Sequence, residues 1–123
     1  MASYSQVGDL PDRIGAITAV ANDTCYFGND KGEVFAQVIA TGAITKTGGL
    51  GIIPEPISAI CTTATVNYIG TKKGNIYTQT IAGGAIVFLI NIKDEEITGM
   101  EWDATGGVIW VSTAKGNIYS VTP

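Results

Sequence analysis

Three neighbouring residues, Glu101, Trp102 and Asp103, are the side chains in this sequence best suited to hold a ligand. An indole offers a flat apolar face, and the flanking carboxylates accept hydrogen bonds. An exposed Trp in this setting could stack on a sugar ring, so these three residues are the candidate ligand site. Packing of Trp102 in a core is the competing interpretation. Trp110, inside an apolar run, is predicted to be a core residue.

The residue types give little support for a catalytic site or a metal site. The sequence contains no histidine, which removes the most common general base and the most common metal ligand. Cys25 and Cys61 lie at neither a metal nor a redox spacing and are predicted to be buried free thiols. The acidic run 94–96 is predicted to be a solvated turn. The sequence therefore predicts no catalytic site, no metal site and no cofactor, and we expect no enzyme.

Composition limits the class of protein. The chain has 123 residues, of which 46% are hydrophobic and 15% charged, so one packed domain is expected. The net charge of −4 argues against nucleic acid and against an anionic membrane surface as partners. The longest apolar run, 85–90, is far shorter than the roughly 20 residues that span a bilayer. With no signal peptide visible, a cytoplasmic or virion location is expected.

A threefold repeat organises the chain. Lys-Gly pairs begin at Lys31, Lys73 and Lys115, which are 42 residues apart, and each is predicted to close a solvated hairpin turn with a left-handed Gly. Apolar strands are predicted to open the units at 17, 57 and 97, which are 40 residues apart. From these spacings we expect the loop inside each unit to be two residues longer than in the unit before.

The third strand of each unit, predicted at 33–38, 75–80 and 117–122, carries bulky side chains on both faces. A sheet with one wet face would alternate apolar with polar residues, so each sheet is expected to be sandwiched between neighbours. The prediction is an all-β chain of three four-stranded units that stack face to face. Their expected bounds are 14–53, 54–93 and 94–123, preceded by an N-terminal strand in residues 1–8.

The third unit resembles the two-component-regulator type of β-propeller repeat, and more loosely WD40 and PQQ-type blades. The resemblance rests on Ile97-Thr98, Asp103, Gly107, Trp110-Val111, Thr113, Gly116 and Ile118-Tyr119. The first two units keep the paired glycines of such repeats, Gly28 with Gly32 and Gly70 with Gly74, but lack the Trp, whereas the third has Ser112 in place of the first Gly. It implies three propeller blades per chain. The alternative fold is a monomeric β-trefoil, which also has three four-stranded units.

Three blades are too few for a ring, because known propellers use about four to eight. A homodimer would close a six-bladed ring, and a nine-bladed trimer is the alternative. The third unit lacks a fourth strand, while residues 2–7 precede the first unit. We therefore predict that this segment supplies the outer strand of a third blade, either within its own chain or, in the two-chain ring, in the partner subunit. The residues predicted for self-association are Tyr4, Val7, Asn117, Ile118, Tyr119 and Val121.

The resulting functional prediction is a non-catalytic, self-assembling propeller that acts as a structural or protein-binding module. A virion or appendage component is one setting that suits this composition. The alternative is a carbohydrate-binding lectin, because oligomeric propellers with few blades per chain resemble some lectins. Such lectins repeat their site residues in every blade, whereas Trp102 has no counterpart in the first two units.

Overall fold

The computed structural model describes residues 2–10, 12–19, 24–50, 55–81 and 84–123. These residues form three antiparallel sheets. The first sheet contains β1 (Ile14–Ala19), β2 (Thr24–Asn29), β3 (Glu33–Val38) and β4 (Ile44–Gly49). The second contains β5 (Ile57–Thr62), β6 (Val66–Thr71), β7 (Asn75–Thr80) and β8 (Val87–Asn91). The third contains β9 (Ile97–Asp103), β10 (Val108–Thr113) and β11 (Ile118–Val121).

The Lys-Gly turns form as the sequence predicts. Gly32, Gly74 and Gly116 have φ values of 74°, 84° and 81°, in the left-handed region that an L side chain rarely adopts. Each glycine N–H donates to the carbonyl three residues before it, at 3.2, 3.2 and 3.0 Å. These turns hold the second and third strands of each sheet together, and the three lysines beside them are exposed to solvent.

Strand pairing stays inside each repeat. Neighbours in every sheet are consecutive strands of the chain, and no described strand pairs with a strand of another sheet. The all-β prediction with three separate antiparallel sheets is therefore confirmed. A β-trefoil would need strands of all three units to join in one barrel, so that alternative is not the fold of this chain.

The structure corrects the register of the repeat. Ile14, Ile57 and Ile97 are equivalent, because they pair with Asn29, Thr71 and Thr113, and a β-bulge follows each of them. The prediction that residue 17 opens the first unit is wrong. The interval from the opening Ile to the turn Lys is 17, 16 and 18 residues, so the loops do not lengthen steadily. The bulge places two apolar residues that are three positions apart on the same face of the strand. A simple alternation rule therefore does not find the first residue of the strand.

The sheets pack face to face. Val34 of the first sheet belongs to one core cluster with Ile57, Ile60 and Ile69 of the second. A second cluster joins the second and third sheets through Tyr68, Ile76, Ile97 and Ile109, among other residues.

Glycines allow this close stacking. A Cβ on Gly28 would lie 2.3 Å from Ile57 Cγ2, and a Cβ on Gly70 would lie 2.7 Å from Met100 Sδ. No side chain larger than hydrogen fits at these two positions unless the facing side chains of the neighbouring sheet move. The predicted sandwiching of each sheet is thereby confirmed at the two contacts inside the chain.

The outer edge of the third sheet is open. Its order is β11-β10-β9, and β11 has no further strand beside it in the described residues. Residues 2–10 form no strand of their own in the single chain. No helix in the described part of the chain is long and apolar enough to cross a membrane.

Candidate functional site

The structure does not bring all three predicted ligand residues into one pocket: Glu101 and Trp102 both line a cavity of about 400 Å³, but Asp103 is not among its lining residues. Trp102 is half-buried and stacks on Tyr68, with ring centroids 5.9 Å apart and planes 25° apart. Because side chains alternate along β9, Glu101 and Asp103 lie on the opposite face from Trp102. Glu101 is exposed. The indole of Trp102 therefore packs between the second and third sheets, as the competing core interpretation expects.

Asp103 organises the turn between β9 and β10. Its Oδ1 accepts hydrogen bonds from the backbone N–H groups of Thr105 and Gly106, each at 3.0 Å. Its Oδ2 accepts a bond from Trp110 Nε1 at 3.3 Å. The Gly106 bond, followed by the Trp110 bond, holds the pKa of Asp103 below its ordinary value. Its contacts are those of a turn-stabilising carboxylate.

Glu95 is a buried carboxylate, so the prediction of a solvated turn at 94–96 is wrong for this residue. Its Oε1 accepts hydrogen bonds from Thr113 Oγ1 at 2.7 Å and Asn117 Nδ2 at 3.0 Å. Its Oε2 accepts a bond from the Tyr119 hydroxyl at 2.9 Å. These bonds, the one from Thr113 first, lower the pKa of Glu95.

Glu55 repeats this arrangement in the second sheet. Its carboxylate accepts hydrogen bonds from Asn75 Nδ2 at 3.0 Å and from the Tyr77 hydroxyl at 2.9 Å. Burial raises the pKa of Glu55, but bonds from Thr71, Asn75 and Tyr77 together lower it further, so the net pKa is below the ordinary value. Burial and the bond to Glu55 raise the pKa of Tyr77 to about 12.

The signal for these two networks was present in the sequence. A Glu stands two residues before the opening Ile of the second and third units, and Thr, Asn and Tyr recur at a spacing of 42. The first sheet departs from the pattern. There Asn29 Nδ2 donates to Glu33 Oε1 at 3.0 Å, and Phe35 stands where the other sheets have Tyr. The networks tie each inner strand to its own hairpin and are structural.

We expect acid to weaken the fold through these two carboxylates. A carboxyl group with a lowered folded-state pKa contributes stability above its unfolded value, and that stability is lost as pH falls through the folded pKa. The ordinary value is 4.5. The free energy of unfolding should therefore be flat above about pH 5.5 and fall below about pH 4.5. Urea unfolding followed by circular dichroism from pH 3 to 7 measures this, and a curve that stays flat to pH 3 would contradict it.

The outer face of the third sheet is open and apolar. Ile118 is 76% exposed, whereas Ile76 and Val34, its equivalents in the other sheets, are 0% exposed. Trp110 is 47% exposed, although its equivalent Tyr68 is buried. The core position predicted for Trp110 is wrong for the single chain, because no sheet in the described part of the chain covers this face.

A groove of about 340 Å³ runs along this open face. Its lining residues are Gly99, Met100, Glu101, Trp110, Val111, Ser112 and Ile118. The equivalent space on the second sheet receives Ile97 and Met100 of the third. The groove is thus the place that a following sheet would fill.

The first sheet is open on the opposite side of the molecule. Ile14 is 47% exposed and Ile17 is 63% exposed, whereas their equivalents Ile57 and Ile60 are buried against the preceding sheet. The two open faces therefore present the same two apolar surfaces that pack together between the first and second sheets and again between the second and third. Ile118 corresponds to the half supplied by Val34 and Ile76, and Ile14 to the half supplied by Ile57 and Ile97.

The residues predicted for self-association fall at the two ends of the sheet stack. Asn117 and Ile118 are exposed beside the free edge of the third sheet, while Tyr119 and Val121 turn their side chains towards the second sheet. Tyr4 and Val7 are exposed beside the first sheet. The Val7 carbonyl accepts a hydrogen bond from Gln37 Nε2 at 2.9 Å.

Comparison with known proteins identifies the fold. No family model matches the sequence, and no curated protein matches it. Among solved structures, the extracellular domain of BT4673 from B. thetaiotaomicron has a TM-score of 0.64 at 18% identity over 95% of this chain. Chaetomium thermophilum Raptor has a TM-score of 0.70 at 11% identity over 85%. The C-terminal WD40 domain of Sif2 has a TM-score of 0.66 at 14% identity over 89%.

The fold is β-propeller-like. The three sheets correspond to propeller blades, which confirms this part of the resemblance seen in the sequence. This chain spans only 18%, 10% and 34% of those three structures. At such low identities the likeness establishes the fold alone, because propellers host many unrelated activities.

Proposed function

We propose that this chain is a non-catalytic structural or protein-binding module that acts as a propeller ring closed by two copies. The observation that supports this proposal most directly is the exposure of Ile14 and Ile118, whose equivalents are fully buried inside the chain. Exposed apolar patches of this kind mark association surfaces. The occupant that fits each open face is the other open face, because the same pairing already packs between the first and second sheets and between the second and third.

Two copies suit the geometry of a ring. Propellers close with about four to eight blades, so two copies give six and three copies give nine. In the two-copy ring, the third sheet of each subunit packs on the first sheet of the other, which makes two identical joints. Each joint buries Ile14, Ile17, Trp110 and Ile118, and a fully buried side chain of this kind contributes about 1.5–3 kcal/mol.

Several groups that could do chemistry are engaged in structure, which supports a non-catalytic role. Glu55 and Glu95 are held by hydrogen bonds in the two networks. Burial, followed by the charge of Glu101, raises the pKa of the Cys61 thiol to about 12, so it is protonated at neutral pH and is a poor nucleophile. The lectin alternative gains no support from the packing of Trp102, and the virion setting stays a prediction.

A mixing experiment tests whether the joint is head-to-tail. Ile118→Glu places a carboxylate on the third-sheet face, and Ile14→Lys places an ammonium on the first-sheet face. Either variant alone has an unmatched charge at both joints of its ring and is expected to be a single chain. An equimolar mixture is expected to form a two-chain ring, because one joint is then native and the other pairs Glu with Lys. Sedimentation of the separate and mixed samples provides the measurement.

The outcomes separate the possible packings. If Ile14→Lys associates as strongly as the native chain, the first-sheet face is not part of the joint, and head-to-tail closure is wrong. If each variant is monomeric and the mixture is too, the two faces do not meet each other. Circular dichroism of each variant checks that the strands are intact.

A further inference from the structure

Two glutamines at equivalent positions in the first and second sheets each donate a hydrogen bond to a backbone carbonyl of a neighbouring segment. Gln79 Nε2 of the second sheet donates to the carbonyl of Thr47 at 2.9 Å, and Thr47 lies in β4, the outer strand of the first sheet. Gln37 Nε2 of the first sheet donates to the carbonyl of Val7, also at 2.9 Å. Each glutamine also donates to a carbonyl in the hairpin loop of its own sheet. Val7 therefore has the same position relative to the first sheet as Thr47 has relative to the second.

A second contact shows the same equivalence. A Cβ on Gly48 would lie 3.1 Å from Ile86 Cδ1, and a Cβ on Gly8 would lie 2.8 Å from Ile44 Cδ1. Ile44 and Ile86 occupy the same place in their sheets, and Gly8 and Gly48 are forty residues apart. The segment around Val7 and Gly8 thus occupies the place of an outer strand, although no described strand lies beside it to complete a sheet.

We propose that residues 2–9 of one copy form the outer strand of the third sheet in a second copy. This inference rests on the proposed two-copy ring, because the ring brings the first sheet of one subunit against the third sheet of the other. The third sheet has a free edge at β11, where an outer strand would pair. The segment's own third sheet is out of reach, because the second sheet stands between it and the first.

The register follows from the first sheet. There β3 pairs with β4 through Gln37 with Ile44, Phe35 with Lys46, and Val34 with Gly48, while Thr47 is the extra residue of a bulge. Because Gly8 is equivalent to Gly48, the N-terminal segment carries Val7 at the bulge.

The corresponding pairs across the two subunits are Val121 with Tyr4, Tyr119 with Gln6, and Ile118 with Gly8. These pairs would satisfy backbone groups on the bare edge of β11, which otherwise invites uncontrolled strand addition.

The register also places the Tyr4 side chain. Ile44 lies over Gly8, and Ile86 lies over Gly48. The residue at this position of an outer strand therefore covers the outer strand of the preceding sheet. In the completed third sheet that residue is Tyr4. The position beneath it, equivalent to Gly48, is Ile90 in β8. Tyr4 is 100% exposed and Ile90 is also exposed in the single chain, so the exchange buries both.

A cysteine pair tests this register in the full-length chain. The variant Tyr4→Cys with Ile90→Cys is expected to form disulfide-linked dimers on mild oxidation, seen by electrophoresis without reductant. The control, Ser5→Cys with Ile90→Cys, places the first thiol on the opposite face of the strand and should give at least about fivefold less of the linked dimer. The native chain, with its own free Cys25 and Cys61, sets the background.

A second variant avoids reliance on cross-linking. Tyr4→Asp is expected to raise the dissociation constant of the dimer at least tenfold, whereas Ser5→Asp, which faces away, should change it less than threefold. A native chain with the mass of two copies but no excess of linked dimer over the control would overturn the exchange and leave the ring standing. An intrachain disulfide would also overturn it. A native chain that stays monomeric would overturn the ring and the exchange together.

Discussion

Replacing Ile118 with Glu is expected to convert the two-copy ring into folded single chains. Ile118 is 76% exposed on the open face of the third sheet, so its replacement removes little packing inside the chain. In the ring the same side chain takes the fully buried place of Val34 and Ile76. A carboxylate there would be taken out of water, which is far more costly than the loss of an apolar contact.

The expected effect is large because a two-copy ring has two identical joints. Loss of one buried Ile costs about 1.5–3 kcal/mol at each joint, or roughly 10²- to 10⁴-fold in the dissociation constant over both, before the carboxylate penalty. Sedimentation equilibrium measures the constant directly. Ile39→Glu is the matched control, since Ile39 is also an exposed Ile but lies in the β3–β4 loop. Equal association of the native chain and the Ile118 variant would show that this face is not the joint.

Replacing Glu55 with Gln is expected to lower the free energy of unfolding by about 1–3 kcal/mol, the range for breaking buried hydrogen bonds to a charged group. The Glu55 carboxylate accepts bonds from Asn75 and Tyr77. An amide of the same size can accept at only one oxygen, and its NH₂ group faces the Asn75 NH₂, which also donates.

Chemical denaturation at pH 7 measures this loss, with Glu96→Gln as control. Glu96 is exposed, so its change should stay within about 0.5 kcal/mol. The Glu55 variant should also show a shallower fall in stability between pH 5 and pH 3, because one of the carboxylates whose pKa is lowered in the folded chain is gone. Equal stability of the two variants would mean that the Glu55 network contributes nothing to the fold.

Alternation and spacing were sufficient to predict the sheets. The second and third strands of each unit form where the sequence predicts them, because apolar side chains on both faces of 33–38 and 75–80 need cover on both sides. The glycine turns that join them form as expected. The register of the first strand could not be predicted by counting, since Ile14 and Ile17 are both apolar on one face across the bulge, and Ile17 stands at the same forty-residue interval from Ile57 that separates Ile57 from Ile97.

The candidate site was harder to predict, because burial in this fold depends on the neighbouring sheet. Trp110 occupies the strand position of the buried Tyr68. It is nevertheless half exposed, because the described residues form no fourth sheet that could cover the third. Glu95 looked solvated because it stands in an acidic run, and its partners lie 18 to 24 residues further along the chain. Only the comparison with Glu55 and its Thr, Asn and Tyr partners could have identified it.

The most direct test of the two-copy ring is the mass of the native chain in dilute solution. Sedimentation equilibrium at micromolar concentration should give twice the 12.8 kDa of one chain, with a compact shape. Tryptophan emission should shift to longer wavelength when dilution dissociates the ring, because Trp110 is then exposed. A folded species of 12.8 kDa at every concentration would contradict the ring, and a mass three times that value would replace it with a nine-bladed one.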